Sequence, residues 1–256
     1  MDQFTIAAAA FAGLLIGSFL NVVIYRIPAG VAVVRPPSAC PHCGHHIRAR
    51  DNVPVVSWVL LRGRCRDCGE PIAVRYPLVE AATGVLFGIT AWLVGPVWVL
   101  PAFLWFVGVT LSLSLIDVDH RRIPNRVLYP GTIVATVLLA GGAVLDGDLA
   151  ALGRAVAGGA GFFGFLFVLA LVARGGFGFG DVKLGFLLGE FAAYRGWGSL
   201  FVAGFAAFLI GGLVGVSLMA ARRAGRRDLM PFGPALVAGC YLGIAAGEAV
   251  FDWYLG

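Results

Sequence analysis

Charge is scarce in this chain. Only 13% of its 256 residues are Asp, Glu, Lys or Arg, where soluble domains carry about 25%, while 59% are hydrophobic and the mean hydropathy is +0.89. So little charge excludes a water-soluble globular fold. Basic residues are also missing from the start. Met1-Asp2-Gln3 precede the first apolar run and positive charge follows it, at Arg26, which argues against a removable signal peptide and for a retained helix with its N-terminus outside. Long linkers, low-complexity tails and short-period repeats are lacking as well. Cysteine is limited to five residues, yet four of them fall in one short stretch.

What is abundant is apolar sequence. Runs of about 17–25 residues cross a hydrocarbon core about 30 Å thick. Eight candidates stand between charged or Gly/Pro-rich breaks: 4–24, 77–94, 97–116, 127–145, 149–173, 182–194, 197–220 and 232–254, the sixth being the shortest. The expected fold is an all-α polytopic membrane protein of about eight transmembrane helices, with both termini outside and a small hydrophilic domain between the first two. The positions of arginine and lysine test that orientation. Seventeen of the nineteen fall on the cytoplasmic side: Arg26, Arg35, Arg48, Arg50, Arg62, Arg64, Arg66, Arg75, Arg121, Arg122, Arg126, Arg174, Lys183, Arg222, Arg223, Arg226 and Arg227. Only Arg154 and Arg195 fall outside, and an error of one helix would scramble this division. The net charge of +5 is thus a topology signal with anionic headgroups as its partner, and nothing in it asks for nucleic acid. The 37 glycines are enriched within the spans, as in Gly158-Gly159-Ala160-Gly161 and Gly211-Gly212, where small residues let helix backbones approach.

The expected organisation is a first transmembrane helix at 1–24, a cytoplasmic domain at 25–76 and a seven-helix membrane domain at 77–256. The cytoplasmic stretch contains Cys40-Pro41-His42-Cys43 and Cys65-Arg66-Asp67-Cys68, with Gly44 and Gly69 after the pairs and 21 residues between them. Each short turn aims two sulfurs at one point, and two turns complete a tetrahedral zinc site at Cys40, Cys43, Cys65 and Cys68. A stretch with so few aliphatic residues builds little core, so the metal would supply folding energy. Disulfides are disfavoured in a reducing cytosol. His42, His45 and His46 are surplus to a closed four-thiolate site, and Cys240 is expected to be a buried small apolar residue.

Two carboxylates stand at the cytoplasmic ends of helices. Asp117 closes the third apolar run in Leu115-Ile116-Asp117-Val118-Asp119, ahead of His120-Arg121-Arg122-Ile123-Pro124-Asn125. Asp181 closes the turn Gly178-Phe179-Gly180-Asp181 before the sixth helix. Singly, Asp181 has a plain explanation as a helix N-cap, and Asp117 as a helix-end carboxylate reaching water beside Arg121 and Arg122. Their shared depth beside irregular Gly/Pro backbone favours a common cavity. Two carboxyls held close share a proton. The ionised one can deprotonate water while the other protonates a carbonyl, which suits amide hydrolysis without a covalent intermediate. Gly178 and Gly180 support the site by allowing an extended peptide to approach. Asp119 and His120 are rival candidates, but two residues onward along a helix points to a different face, so Asp119 is expected to support the site or face the cytosol.

Together these motifs resemble the bacterial type IV prepilin leader peptidase / N-methyltransferase family, intramembrane aspartyl peptidases of the Gly-Xaa-Gly-Asp type. The resemblance runs nearly end to end. It includes Gly17-Ser18-Phe19-Leu20-Asn21-Val22-Val23-Ile24-Tyr25-Arg26-Ile27-Pro28, the two cysteine turns, Asn52-Val53-Pro54-Val55-Val56-Ser57-Trp58 and Arg75-Tyr76-Pro77-Leu78-Val79-Glu80. It continues through Ile116-Asp117-Val118-Asp119-His120, Gly178-Phe179-Gly180-Asp181-Val182-Lys183 and Pro231-Phe232-Gly233-Pro234. It implies Asp117 and Asp181 as catalytic residues and an aspartyl peptidase domain over 77–256 in the bacterial inner membrane. It further implies removal of a basic leader from type IV prepilins and type II secretion pseudopilins on the cytoplasmic side. Many members also methylate the new N-terminus with S-adenosylmethionine, but the chain has no Rossmann-type glycine fingerprint, so that cofactor's site is unassigned. Glu80 is expected to have a packing role.

The alternatives are a peptidase without methyltransferase activity, a proton-coupled transporter, and a non-catalytic scaffold organised by the zinc loop. Transport sites sit near the midplane on broken helices, whereas these aspartates sit at one edge. The sequence assigns no oligomeric state.

Overall fold

Each apolar run bounded by charge, glycine or proline is a helix in the computed structural model of the chain, which describes residues 2–95, 97–173, 178–221 and 231–255. The helices are α1 (Gln3–Arg26), α2 (Val56–Leu60), α3 (Arg75–Val94), α4 (Leu100–His120), α5 (Asn125–Asp146), α6 (Leu149–Val172), α7 (Phe179–Arg195), α8 (Trp197–Ala220) and α9 (Gly233–Leu255). Among the described residues there is no strand. Apart from the short α2, these helices match the eight expected spans one for one. Seven are long and apolar enough to cross a membrane. The exception is α7, whose 17 residues reach about 26 Å at 1.5 Å per residue. Arg174, Arg222, Arg223, Arg226 and Arg227, expected on the cytoplasmic side, lie outside the described residues.

Two helix ends differ from expectation in a way that matters. α4 continues past Ile116 to His120, so Asp117 lies inside its last turn. Nothing between these residues breaks a helix, and termination waits for Arg121, whose φ is 51°, and for Pro124. α7 begins at Phe179 with Gly178 at its N-cap, so Asp181 is the third residue of the helix and not its cap.

The chain divides into two compact units, 1–100 and 101–256. In the first, α1 packs on α3 through glycines from both helices. A Cβ on Gly13 would lie 2.7 Å from the Thr83 carbonyl oxygen, one on Gly17 2.7 Å from Glu80 Cα, and one on Gly84 2.8 Å from Leu14 Cδ2. In the second, α6 packs on α7 and α8 on α9. Gly239, Gly243 and Gly247 recur every four residues along α9, and a Cβ on any of them would overlap Ser199, Ala203 or Ala207 of α8. Gly158 and Gly159 of α6 face Ala193 and Phe186 of α7, whereas Gly161 and Gly212 face open space.

α7 is the innermost helix of this unit, in contact with α5, α6, α8 and α9. Its Phe191 stacks on Phe106 of α4 with ring centroids 4.4 Å apart and meets Phe103 edge-on at 5.1 Å. A helix so enclosed has little lipid-facing surface and need not span the full bilayer. Its fixed N-terminal end positions Asp181.

Candidate active site and metal centre

Between α1 and α3 the backbone makes two loops of one design. The Cys40 N–H donates to the His45 carbonyl at 3.0 Å and the Gly44 N–H to the Cys40 carbonyl at 2.9 Å. In the second loop the Cys65 N–H donates to the Glu70 carbonyl at 2.8 Å and the Gly69 N–H to the Cys65 carbonyl at 2.9 Å. Antiparallel bridges Ala39–His46 and Arg64–Pro71 close them. Gly44 and Gly69 take φ of 72° and 75°, which explains a glycine after each cysteine pair.

The two loops bring all four sulfurs within 4.8 Å of one another. Cys40 and Cys68 Sγ are 3.8 Å apart, and a tetrahedron with 2.3 Å zinc–sulfur bonds has edges of about 3.8 Å. None of the four is in a disulfide. The N–H groups of Cys43 and His42 pull the Cys40 thiol down to about 6. At Cys68 the Glu70 N–H acts in the same direction, but desolvation and hydrogen bonds with Cys65, Cys43 and Cys40 push the thiol up to about 12. Four sulfurs gathered at this spacing are a donor set that could hold a tetrahedral metal ion. His42, His45 and His46 are exposed and stand apart from the sulfur cluster. Arg48 pairs with Asp67 at 2.8 Å across the two loops. Arg66 forks Asp51 at 2.6 Å and 2.9 Å, holding that carboxyl below the usual carboxylate range.

Asp117 and Asp181 lie in the second unit among shared neighbours. Asp117 is 4% exposed, and its Oδ2 accepts the Gly233 N–H from the start of α9 at 3.1 Å. It is therefore buried and does not reach out to water beside Arg121 and Arg122. Asp181 is 8% exposed, and its Oδ1 has no hydrogen-bond partner. Ile123 joins the two: a Cβ on Gly180 would lie 3.1 Å from Ile123 Cβ, and one on Gly233 would lie 3.4 Å from Ile123 Cδ1 and 2.8 Å from Asp117 Oδ2. A Cβ on Gly178 would come to 2.9 Å from Asp181 Oδ2. Asp119 and His120 are exposed.

The chain matches the family model described as the bacterial peptidase A24 N-terminal domain over residues 11–94 and the model of the type IV leader peptidase family over residues 103–216. A Stutzerimonas stutzeri protein named prepilin leader peptidase/N-methyltransferase is 34% identical over 273 residues, covering 98% of this chain and 93% of that one. A Neisseria gonorrhoeae protein of the same name is 34% identical over 282 residues, covering 100% and 96%. A Myxococcus xanthus protein, again so named, is 40% identical over 217 residues, covering 84% of this chain and 64% of its own length. The chain belongs to the type IV leader peptidase family. No solved structure matches it.

In this family member the N-terminal match contains the four cysteines and falls in the first compact unit, while the second match contains both aspartates. Several polar contacts went unread in the sequence. Gly233 was visible only as part of Pro231-Phe232-Gly233-Pro234, with no sign that its N–H binds Asp117. Lys183 donates to Asn125 Oδ1 at 3.0 Å and lies over the Tyr129 and Phe179 rings, tying the first turn of α7 to that of α5. Glu190, wholly buried in α7, accepts the Thr136 hydroxyl at 2.9 Å while its Oε1 has no partner. A carboxylate inside the apolar run Leu187-Leu188-Gly189-Glu190-Phe191 was the available signal.

Proposed function

We propose that this membrane protein removes the basic leader from type IV prepilins, and from type II secretion pseudopilins, using Asp117, Asp181 and one water. The observation that carries this reading is the shared buried neighbourhood of Asp117 and Asp181 around Ile123 and the Gly233 N–H, in a member of the type IV leader peptidase family. One carboxylate takes a proton from water, the water oxygen attacks the scissile carbonyl, and the second carboxyl protonates the carbonyl oxygen. Collapse of the adduct breaks the C–N bond, and the new amine leaves with a proton returned by the dyad. Gly178 and Gly180 support the site by letting the turn pack closely against Asp181 and Ile123, where a side chain would crowd them, and Asp119 supports from the cytosolic side. The skewed arginine distribution supports an active site facing the cytoplasm of the bacterial inner membrane, where a basic leader is held.

The new N-terminus is then methylated. The methyl group would come from S-adenosylmethionine, as the names of the relatives imply, and no residue is assigned to that cofactor. Zinc at Cys40, Cys43, Cys65 and Cys68 would organise the cytoplasmic segment 25–76 as a structural, closed site.

The test incubates the purified full chain in liposomes with candidate prepilins, with and without S-adenosylmethionine, and identifies product N-termini by mass spectrometry. Cleavage in both arms and methylation only in the second is expected, and Asp117→Asn and Asp181→Asn should each abolish cleavage. Activity retained in either variant would remove that residue from the dyad. Cleavage with no methyl mass would reduce the protein to a peptidase alone.

A further inference from the structure

Segment 53–60 presents apolar side chains that the cysteine domain does not cover. Val53, Val56, Val59 and Leu60 are 46%, 52%, 60% and 76% exposed. The backbone beneath them is held in an uncommon shape. The Val56 N–H donates to the Pro54 carbonyl at 2.6 Å, with Val55 between them at φ 60° and ψ −49°. This is a γ-turn of the rare, strained hand, centred on a β-branched residue. Such geometry persists only where the surroundings enforce it. Here the Val55 N–H donates to Glu80 Oε2 at 2.7 Å, and Ser57 Oγ accepts the Val53 N–H at 3.0 Å and donates to the Arg50 carbonyl at 2.9 Å. The Trp58 indole N–H donates to the Ile72 carbonyl at 3.1 Å.

Glu80 fixes the depth of this turn. It is the sixth residue of α3 and follows the start of that helix's apolar run at Pro77. A group bonded directly to its carboxylate therefore sits at the edge of the hydrocarbon layer and not out in the cytosol. Backbone N–H groups at that depth need an internal partner. The Glu80 carboxylate supplies one, which accounts for an acid near the start of a spanning helix. Exposed Arg50, Arg62 and Arg64 flank the apolar face, placing positive charge where anionic headgroups lie.

We propose that segment 53–60 is an interfacial wedge: Val56, Val59 and Leu60 enter the acyl boundary of the cytoplasmic leaflet, the neighbouring arginines engage anionic headgroups, and the four-cysteine domain is thereby seated on the membrane. The occupant is the bilayer, because the segment shares its depth with α3. The inference rests only on α1 and α3 crossing the membrane, so it stands or falls independently of the peptidase reading.

The full-length protein, with a benzophenone amino acid at position 56, 60 or 45 in turn, is placed in nanodiscs of phosphatidylethanolamine and phosphatidylglycerol and irradiated. Lipid adducts are expected from positions 56 and 60, and none from His45 on the exposed cysteine loop. Adducts from 56 and 60 to protein only, whether to this chain, a second copy or an added prepilin, would overturn the proposal. So would solvent quenching at all three positions. A second measurement covers misfolding of the labelled chains. In Val59→Asp/Leu60→Asp, amide exchange of 56–61 in nanodiscs should rise several-fold while α1 exchange stays unchanged; unaltered exchange in 56–61 also counts against the wedge.

Discussion

A methyl group at position 233 has nowhere to go, since its carbon would lie 2.8 Å from Asp117 Oδ2 and 3.4 Å from Ile123 Cδ1. Gly233→Ala should push Asp117 off the position its N–H bond defines, and a displacement of about 1 Å costs on the order of 10²-fold in rate. The expected outcome is a fall in kcat of about that size with little change in thermal midpoint; an unchanged kcat would show that this close contact positions nothing. Asp119→Asn, altering an exposed group, should leave cleavage within a few-fold of wild type. The proposed dyad predicts a bell-shaped pH–rate profile, because that mechanism requires one carboxyl ionised and the other protonated. A profile with one limb only in steady-state assays would point to a single titrating group. Helical phase alone distinguishes Asp117 from Asp119 in the sequence, since residues two apart face different ways. The Gly233 N–H was not legible, because its partner is 116 residues away and a backbone donor leaves no mark on residue identity.

Cysteine loops and helix packing are matters of whole elements. The loops are legible because their ligands and glycines are local, set by turns of a few residues. Cys40→Ser with Cys43→Ser should reduce bound zinc from about one per chain to none, read by metal analysis of reduced protein, because two thiolates cannot complete a tetrahedral site. Chelation of the wild type should raise amide exchange across 38–72 without altering α6 to α9, since zinc bound at the four cysteines would supply folding energy there. The Arg66–Asp51 contact behaves differently. Asp51 is held below its ordinary range, so the contact persists at neutral pH and is lost only as pH falls through that depressed range. Within α7, Glu190 keeps its contact with Thr136 in Glu190→Gln but not in Glu190→Ala. The alanine variant, which leaves both a void and an unpaired hydroxyl, should cost about 2–4 kcal/mol by thermal unfolding in detergent and the glutamine variant about 1 kcal/mol or less. Equal effects would mean that neither the volume of Glu190 nor its contact with Thr136 is what stabilises α7. Its partner comes from α5, 54 residues away, a pairing no periodicity encodes.

For the molecule as a whole, the arginine distribution favours one orientation in the membrane, and the structure accounts for one of its two exceptions. Arg154 donates from Nε and Nη2 to the Ala193 and Tyr194 carbonyls at 2.7 Å and 2.8 Å, capping the last turn of α7. It is thus a helix cap more than a topology charge. Glu248 does the converse, accepting the Ser199 N–H at 2.7 Å at the start of α8. The orientation predicts that alkaline phosphatase fused after Gly147 is active and fused after Arg122 inactive; the reverse pattern would invert the topology. What the sequence alone determined is what depends on local composition. The eight long helices follow from apolar length, the expected sidedness from arginine counts and the paired cysteine loops from two-residue spacing. What only the tertiary structure decided is what depends on contacts distant in sequence. α7 can be short because other helices enclose it, Asp117 finds its partner in the Gly233 N–H of another helix, and the Val55 turn is held because Glu80 reaches it from another helix. Burial and hydrogen-bond partners arise from packing, and packing brings together residues that no local pattern links.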